Sequence, residues 1–129
     1  MAMSNTIYIH ELHAIHGEWI SALNLAQDEL ISYQNRLQEL NSANTSKDIL
    51  AQVEGFQNRF IRQKEVIDIL KHDIQADEKR IAENARDNNV AVEHRKVEKD
   101  FALHEKMESF EKLFKEMKSE YLHILEKYL

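Results

Sequence analysis

The stretch that decides the fold is residues 9–40, IHELHAIHGEWISALNLAQDELISYQNRLQEL. Its apolar residues recur at alternating steps of three and four, the spacing of positions a and d in a heptad repeat. The series is Ile9, Leu12, His16, Trp19, Leu23, Ala26, Leu30, Tyr33, Leu37 and Leu40. Only His16 interrupts it with a strongly polar side chain. A helix of this kind buries one stripe against partner helices, so residues 5–41 are predicted to form the first helix of a bundle.

Two further segments repeat this spacing. A second helix is predicted over residues 46–86, after a small, polar break, and its buried stripe includes Asp77. A third is predicted over residues 89–128, where three successive steps of three around His104 predict a local phase slip. The break between the second and third helices contains no Gly or Pro, so one continuous helix also stays open. We predict a single all-α domain, an antiparallel up-down-up bundle of three long helices with coiled-coil-like packing over residues 1–129.

Composition excludes several functional classes. The 129 residues contain no cysteine, which rules out disulfides and thiol chemistry, and only two glycines, too few for a glycine-rich phosphate loop. A net charge of −6 argues against nucleic acid or an anionic membrane as the main partner. No apolar run approaches the ~20 residues of a membrane span. We therefore expect a cytoplasmic protein, and no enzyme, because a bundle of long helices leaves little loop for a substrate pocket.

Two histidines fall on the predicted buried stripes. If the helices join through tight turns near residues 43 and 88, His16 and His104 lie in one layer, and Asp77 lies one to two turns away. Imidazole and carboxylate suit Zn, Ni or Fe, so these three residues are candidate metal ligands. The preferred interpretation is structural, with no cofactor: a buried histidine meets a carboxylate, hydroxyl or carbonyl and sets the register of the helices. A third possibility is pH sensing, if both histidines are buried and neutral.

Four large aliphatic residues break the polar pattern of the outer helix faces: Leu25, Ile31, Ile61 and Ile69. The assumed register places them in one apolar stripe, and a contiguous exposed patch usually marks an interaction site. The leading hypothesis is therefore a non-enzymatic interaction module that forms a homodimer, or other homo-oligomer, or docks on another helical protein. The alternative is a metal- or cofactor-binding helical bundle that uses the half next to the second turn, where the assumed register gathers six of the seven histidines.

Overall fold

Three long helices pack together in the computed structural model of the chain, which describes residues 5–86 and 95–129. Helix α1 spans Ile9–Ala43, α2 spans Lys47–Arg86 and α3 spans Phe101–Tyr128. A short strand precedes α1 (β1, Thr6–Tyr8) and another precedes α3 (β2, Lys96–Glu98). The predicted all-α bundle of three helices is thus confirmed, with a small ribbon added at one end. None of the helices in the described ranges has the length and apolarity of a membrane span.

Ion pairs fix the direction of α3 relative to α2. Arg59 pairs with Glu120, and Asp73 pairs with Lys106 at 3.7 Å between Oδ2 and Nζ. The residue numbers rise along α2 as they fall along α3, so these two helices run antiparallel.

The contacts between α1 and α2 also run in opposite directions, but in a shifted register. Tyr33 packs on Phe60, with ring centroids 6.1 Å apart, and His16 lies against Asp77. A turn near residue 43 predicts a contact for each α1 residue at a certain position of α2. The observed contact lies between one and two helical turns further along α2. One reason is that α1 continues through Ala43, which moves the turn to residues 44–46.

The two strands form an antiparallel ribbon that the sequence-based prediction missed. Ile7 pairs with Val97, and both side chains are buried. The backbone N–H of Ile9 donates to the carbonyl of Arg95 at 3.0 Å, which continues the ribbon into α1. The prediction that helix 1 begins near residue 5 is therefore wrong, because the backbone groups of residues 5–9 bond across the ribbon. Two runs of three residues are too short to give a recognisable alternating pattern.

Helix α3 begins at Phe101, so the prediction of a helix from residue 89 is wrong. The Asp100 carboxylate caps it by accepting from the backbone N–H of Leu103 at 3.1 Å. Its buried stripe alternates steps of four and three without a slip: Leu103, Met107, Phe110, Phe114, Met117 and Tyr121. The predicted phase slip requires Phe101 in the buried stripe, but Phe101 is 42% exposed and Leu103 is buried instead. His94, which falls within the predicted helix 89–128, lies outside the described residues.

The core consists of one large cluster and one small one. The large cluster runs between the three helices and contains an aromatic group of Tyr33, Phe56, Phe60 and Tyr121. The small cluster lies at the ribbon end and comprises Ile7, Ile9, Leu12, Ile81 and Val97. The ribbon thus closes the apolar end of the bundle, next to the histidines described below.

Candidate functional site

His16 lies in the core between two carboxylates of α2. Its side chain is 1% exposed; Nε2 is 3.0 Å from Asp77 Oδ2, and Nδ1 is 3.0 Å from Glu78 Oε1. The heptad spacing turns both His16 and Asp77 towards the bundle axis, which explains their burial. His16 is therefore buried with a carboxylate oxygen of α2 close to each of its ring nitrogens.

Further polar contacts extend this pair from α1 to the ribbon. His13, one turn before His16, lies with Nδ1 3.0 and 3.1 Å from the two Glu78 carboxylate oxygens. On the other side, Arg80 Nε donates to Asp77 Oδ1 at 2.8 Å. The same guanidinium donates through Nη2 to the backbone carbonyl of Glu98 at 2.8 Å. We call these residues, with His16, the polar network; it joins α1, α2 and β2.

Trp19 connects the polar network to α3. Its ring centroid lies 5.5 Å from that of His16 and 4.7 Å from that of His104, and the second contact is edge-on. The prediction that the two histidines share a layer is therefore confirmed, with the indole touching both rings.

His104 has an environment that favours its neutral form. Burial lowers its pKa below the usual 6.5, and the positive charges of Lys99 and His16 lower it further. Asp77 and Asp100 act in the opposite direction but do not reverse the shift. The two histidines of the layer therefore differ: carboxylates lie at both nitrogens of His16, while burial and cations disfavour protonation of His104.

The three candidate metal ligands are only partly brought together. His16 and Asp77 are in contact, whereas His104 contacts the Trp19 ring. Within residues 5–86 and 95–129, no group of three or more His, Asp or Glu side chains is arranged to hold a metal ion. The sequence reasoning missed Glu78, although it follows Asp77 directly and Glu78 lies one helical turn from Ile81 of the buried stripe.

A cavity of about 340 Å³ lies beside the polar network, between α2 and the start of α3. Its charged lining residues are Asp73, Asp77, Arg80, Asp100 and Lys106. These groups contact one another or the backbone: Asp77 binds Arg80, Asp73 pairs with Lys106, and Asp100 caps α3. Their charges are therefore compensated within the chain, as expected of a structural element.

An apolar groove runs along the surface between α2 and α3. It has a volume of about 500 Å³ and is lined along its middle by apolar side chains: Val66, Ile69, Leu70, Phe110 and Leu113. Ala102 and Ser109 contribute small side chains, and Arg62, Gln63, Glu105 and Lys106 lie at the edges. Leu113 is 53% exposed although it is a large aliphatic residue. We call this feature the α2/α3 groove.

The four predicted interface residues are all more than half exposed, but they do not line one groove. Ile69 lies in the α2/α3 groove, whereas Leu25 lies in a smaller groove of about 240 Å³ between α1 and α3. Ile31 and Ile61 project from α1 and α2. The sequence reasoning missed Leu113, which could have been found as a large aliphatic residue directly before Phe114 of the buried stripe.

Comparison of the chain with protein-family models, with curated proteins and with solved structures gives no match. The functional argument therefore depends on the geometry of the chain itself.

Proposed function

We propose that the chain is a non-enzymatic helical interaction module that forms a homodimer through its exposed apolar surface. The observation that carries this proposal is the α2/α3 groove, where Ile69 and Leu113 are both more than half exposed. An apolar groove between two helices has the shape that accepts a third helix. Exposed apolar surface of this kind is costly in water, and its burial favours association.

A second copy is the simplest occupant of the groove. In a two-fold dimer the same surface is used by both partners, so residues that protrude from it also fill it. Leu113 lines the groove and is 53% exposed, so it can supply an apolar side chain to the groove of the second copy. The charged cavity next to Asp77 gives no comparable basis for catalysis, because its charges are compensated within the chain.

Light scattering coupled to size exclusion tests this proposal with a matched pair of variants. Leu113→Glu places a charge in the groove, whereas Leu122→Glu makes the same change on α3 at a residue of similar exposure, 46%, that does not line the groove. We expect wild type and Leu122→Glu to elute with twice the mass of 15.3 kDa, and Leu113→Glu to elute as a monomer.

Circular dichroism of each variant confirms that helix content is kept. A wild-type chain that stays at 15.3 kDa even at near-millimolar concentration would contradict self-association. Docking on a different helical protein would then become the better hypothesis.

A further inference from the structure

The lining of the α2/α3 groove contains two charged side chains without an ion pair in the described part of the chain, Arg62 and Glu105, and their charges are opposite, whereas Lys106 beside Glu105 pairs with Asp73. The ion pairs Arg59–Glu120 and Asp73–Lys106 fix which residues of α2 and α3 lie at the same height. In this register Arg62 lies at one end of the groove, and Glu105 lies near the other, about three helical turns away. The large apolar residues of the groove lie between Arg62 and Glu105, and Ala102 lies about one turn beyond Glu105.

Both charges are free to act outside their own chain. Among the described residues, neither Arg62 nor Glu105 makes an ion pair, although both line the groove.

We propose that two copies pack groove to groove about a two-fold axis, so that Arg62 of each copy faces Glu105 of the other. This inference rests on the proposed function and specifies its interface. A two-fold axis perpendicular to the groove reverses its direction, so it brings Arg62 of one copy to Glu105 of the other. The apolar middle then lies on the axis, which gives the apolar centre and polar rim of a typical interface. One symmetry operation therefore matches both the apolar centre and the two unpaired charges of the groove.

A charge exchange tests this pairing. Arg62→Glu alone, or Glu105→Arg alone, places like charges opposite each other at both ends of the dimer, and like-charge contacts weaken association strongly. We expect each single variant to raise the dimer Kd by at least about tenfold. The double variant restores opposite charges at both ends and should bring the Kd back to within about threefold of wild type.

The rescue is diagnostic because the two residues are too far apart to pair within one copy. Arg36→Glu, on the exposed surface of α1, is the control for the change in net charge and should leave the Kd unchanged. If wild type forms a dimer and both single variants have the same Kd as wild type, the groove pairing is wrong but self-association still holds. A wild-type monomer would overturn both.

Discussion

His16 of α1 lies 3.0 Å from Asp77 of α2, measured from Nε2 to Oδ2, and both side chains are almost fully buried. Glu78 lies at the same distance from the other ring nitrogen. A close polar contact of this kind in an apolar stripe forms in one helix register and is lost when the helices slide by a turn. His16, the one strongly polar residue in the heptad pattern of α1, is therefore explained by its role in aligning α1 with α2.

Removing one partner of this pair should destabilise the fold. Asp77→Ala leaves His16 and Arg80 without the carboxylate that they share, and we expect a loss of about 3 kcal/mol in the free energy of unfolding. Urea denaturation followed by circular dichroism measures it. The double variant His16→Leu/Asp77→Leu should lose less than the sum of the two single leucine variants, because it leaves no unpaired partner at this contact. A loss equal to that sum would contradict the coupling.

His104 should make the bundle less stable in mild acid. Its pKa is lowered in the folded chain by burial first, and then by Lys99 and His16. The unfolded chain therefore binds a proton as the pH falls below about 6.5, while folded His104 stays neutral until its own lower pKa is reached. The contribution of neutral His104 to the free energy of unfolding is therefore complete above about pH 6.5 and is lost as the pH falls below that value.

Thermal melting at pH 7.5 and pH 5.5 checks this behaviour. His104→Gln removes the titrating group and should show a smaller drop in Tm between the two pH values than wild type. An equal drop in both proteins would assign the pH dependence to other groups.

Tyr121 should stabilise the fold through its hydroxyl group as well as through its ring. It is fully buried, and its OH donates to the Tyr33 carbonyl at 2.9 Å. Burial is the main cause that raises its pKa to about 12, so the phenol stays protonated as a donor at neutral pH. Tyr121→Phe should cost about 1 kcal/mol in unfolding free energy, measured in urea. Tyr128→Phe, at the end of α3, is the control; equal effects would show that the buried hydrogen bond contributes nothing measurable.

The exposed aliphatic residues can be ranked by their effect on association. If the α2/α3 groove is the interface, Ile69→Glu should weaken the dimer strongly, whereas Ile61→Glu and Ile31→Glu should leave its Kd close to that of wild type. Sedimentation velocity of the three variants makes the comparison. A dimer weakened equally by all three would favour the single apolar stripe that the sequence predicts.

Much of the fold could be predicted from the periodic apolar pattern alone. The stripe of α1 runs over many turns, so one interruption at His16 does not hide it, and the burial of Asp77 follows from the same spacing on α2. The ribbon could not be predicted, because pairing between Ile7 and Val97 joins residues from distant parts of the sequence.

The details of the site depended on register, which the sequence determines poorly. A shift of between one and two turns between α1 and α2 replaced an expected neighbour near residue 71 with Asp77 and Glu78. The details of the site also depended on where α3 begins. Leu103, and not Phe101, is the first buried residue of the α3 stripe, which continues through Phe110 and Phe114 and leaves the opposite side of α3 facing outward. The register has no local sequence signal, whereas the boundary has one in Asp100, an N-cap residue that the periodic apolar pattern does not take into account.

The most direct test of the dimer is to mix two variants that should each be monomeric. Arg62→Glu and Glu105→Arg each form like-charge contacts with themselves, but a mixed dimer has opposite charges at both ends. Sedimentation equilibrium should give 15.3 kDa for each variant alone and twice that mass for the equimolar mixture. Two variants that remain monomeric after mixing, beside a wild-type dimer, would contradict the proposed pairing.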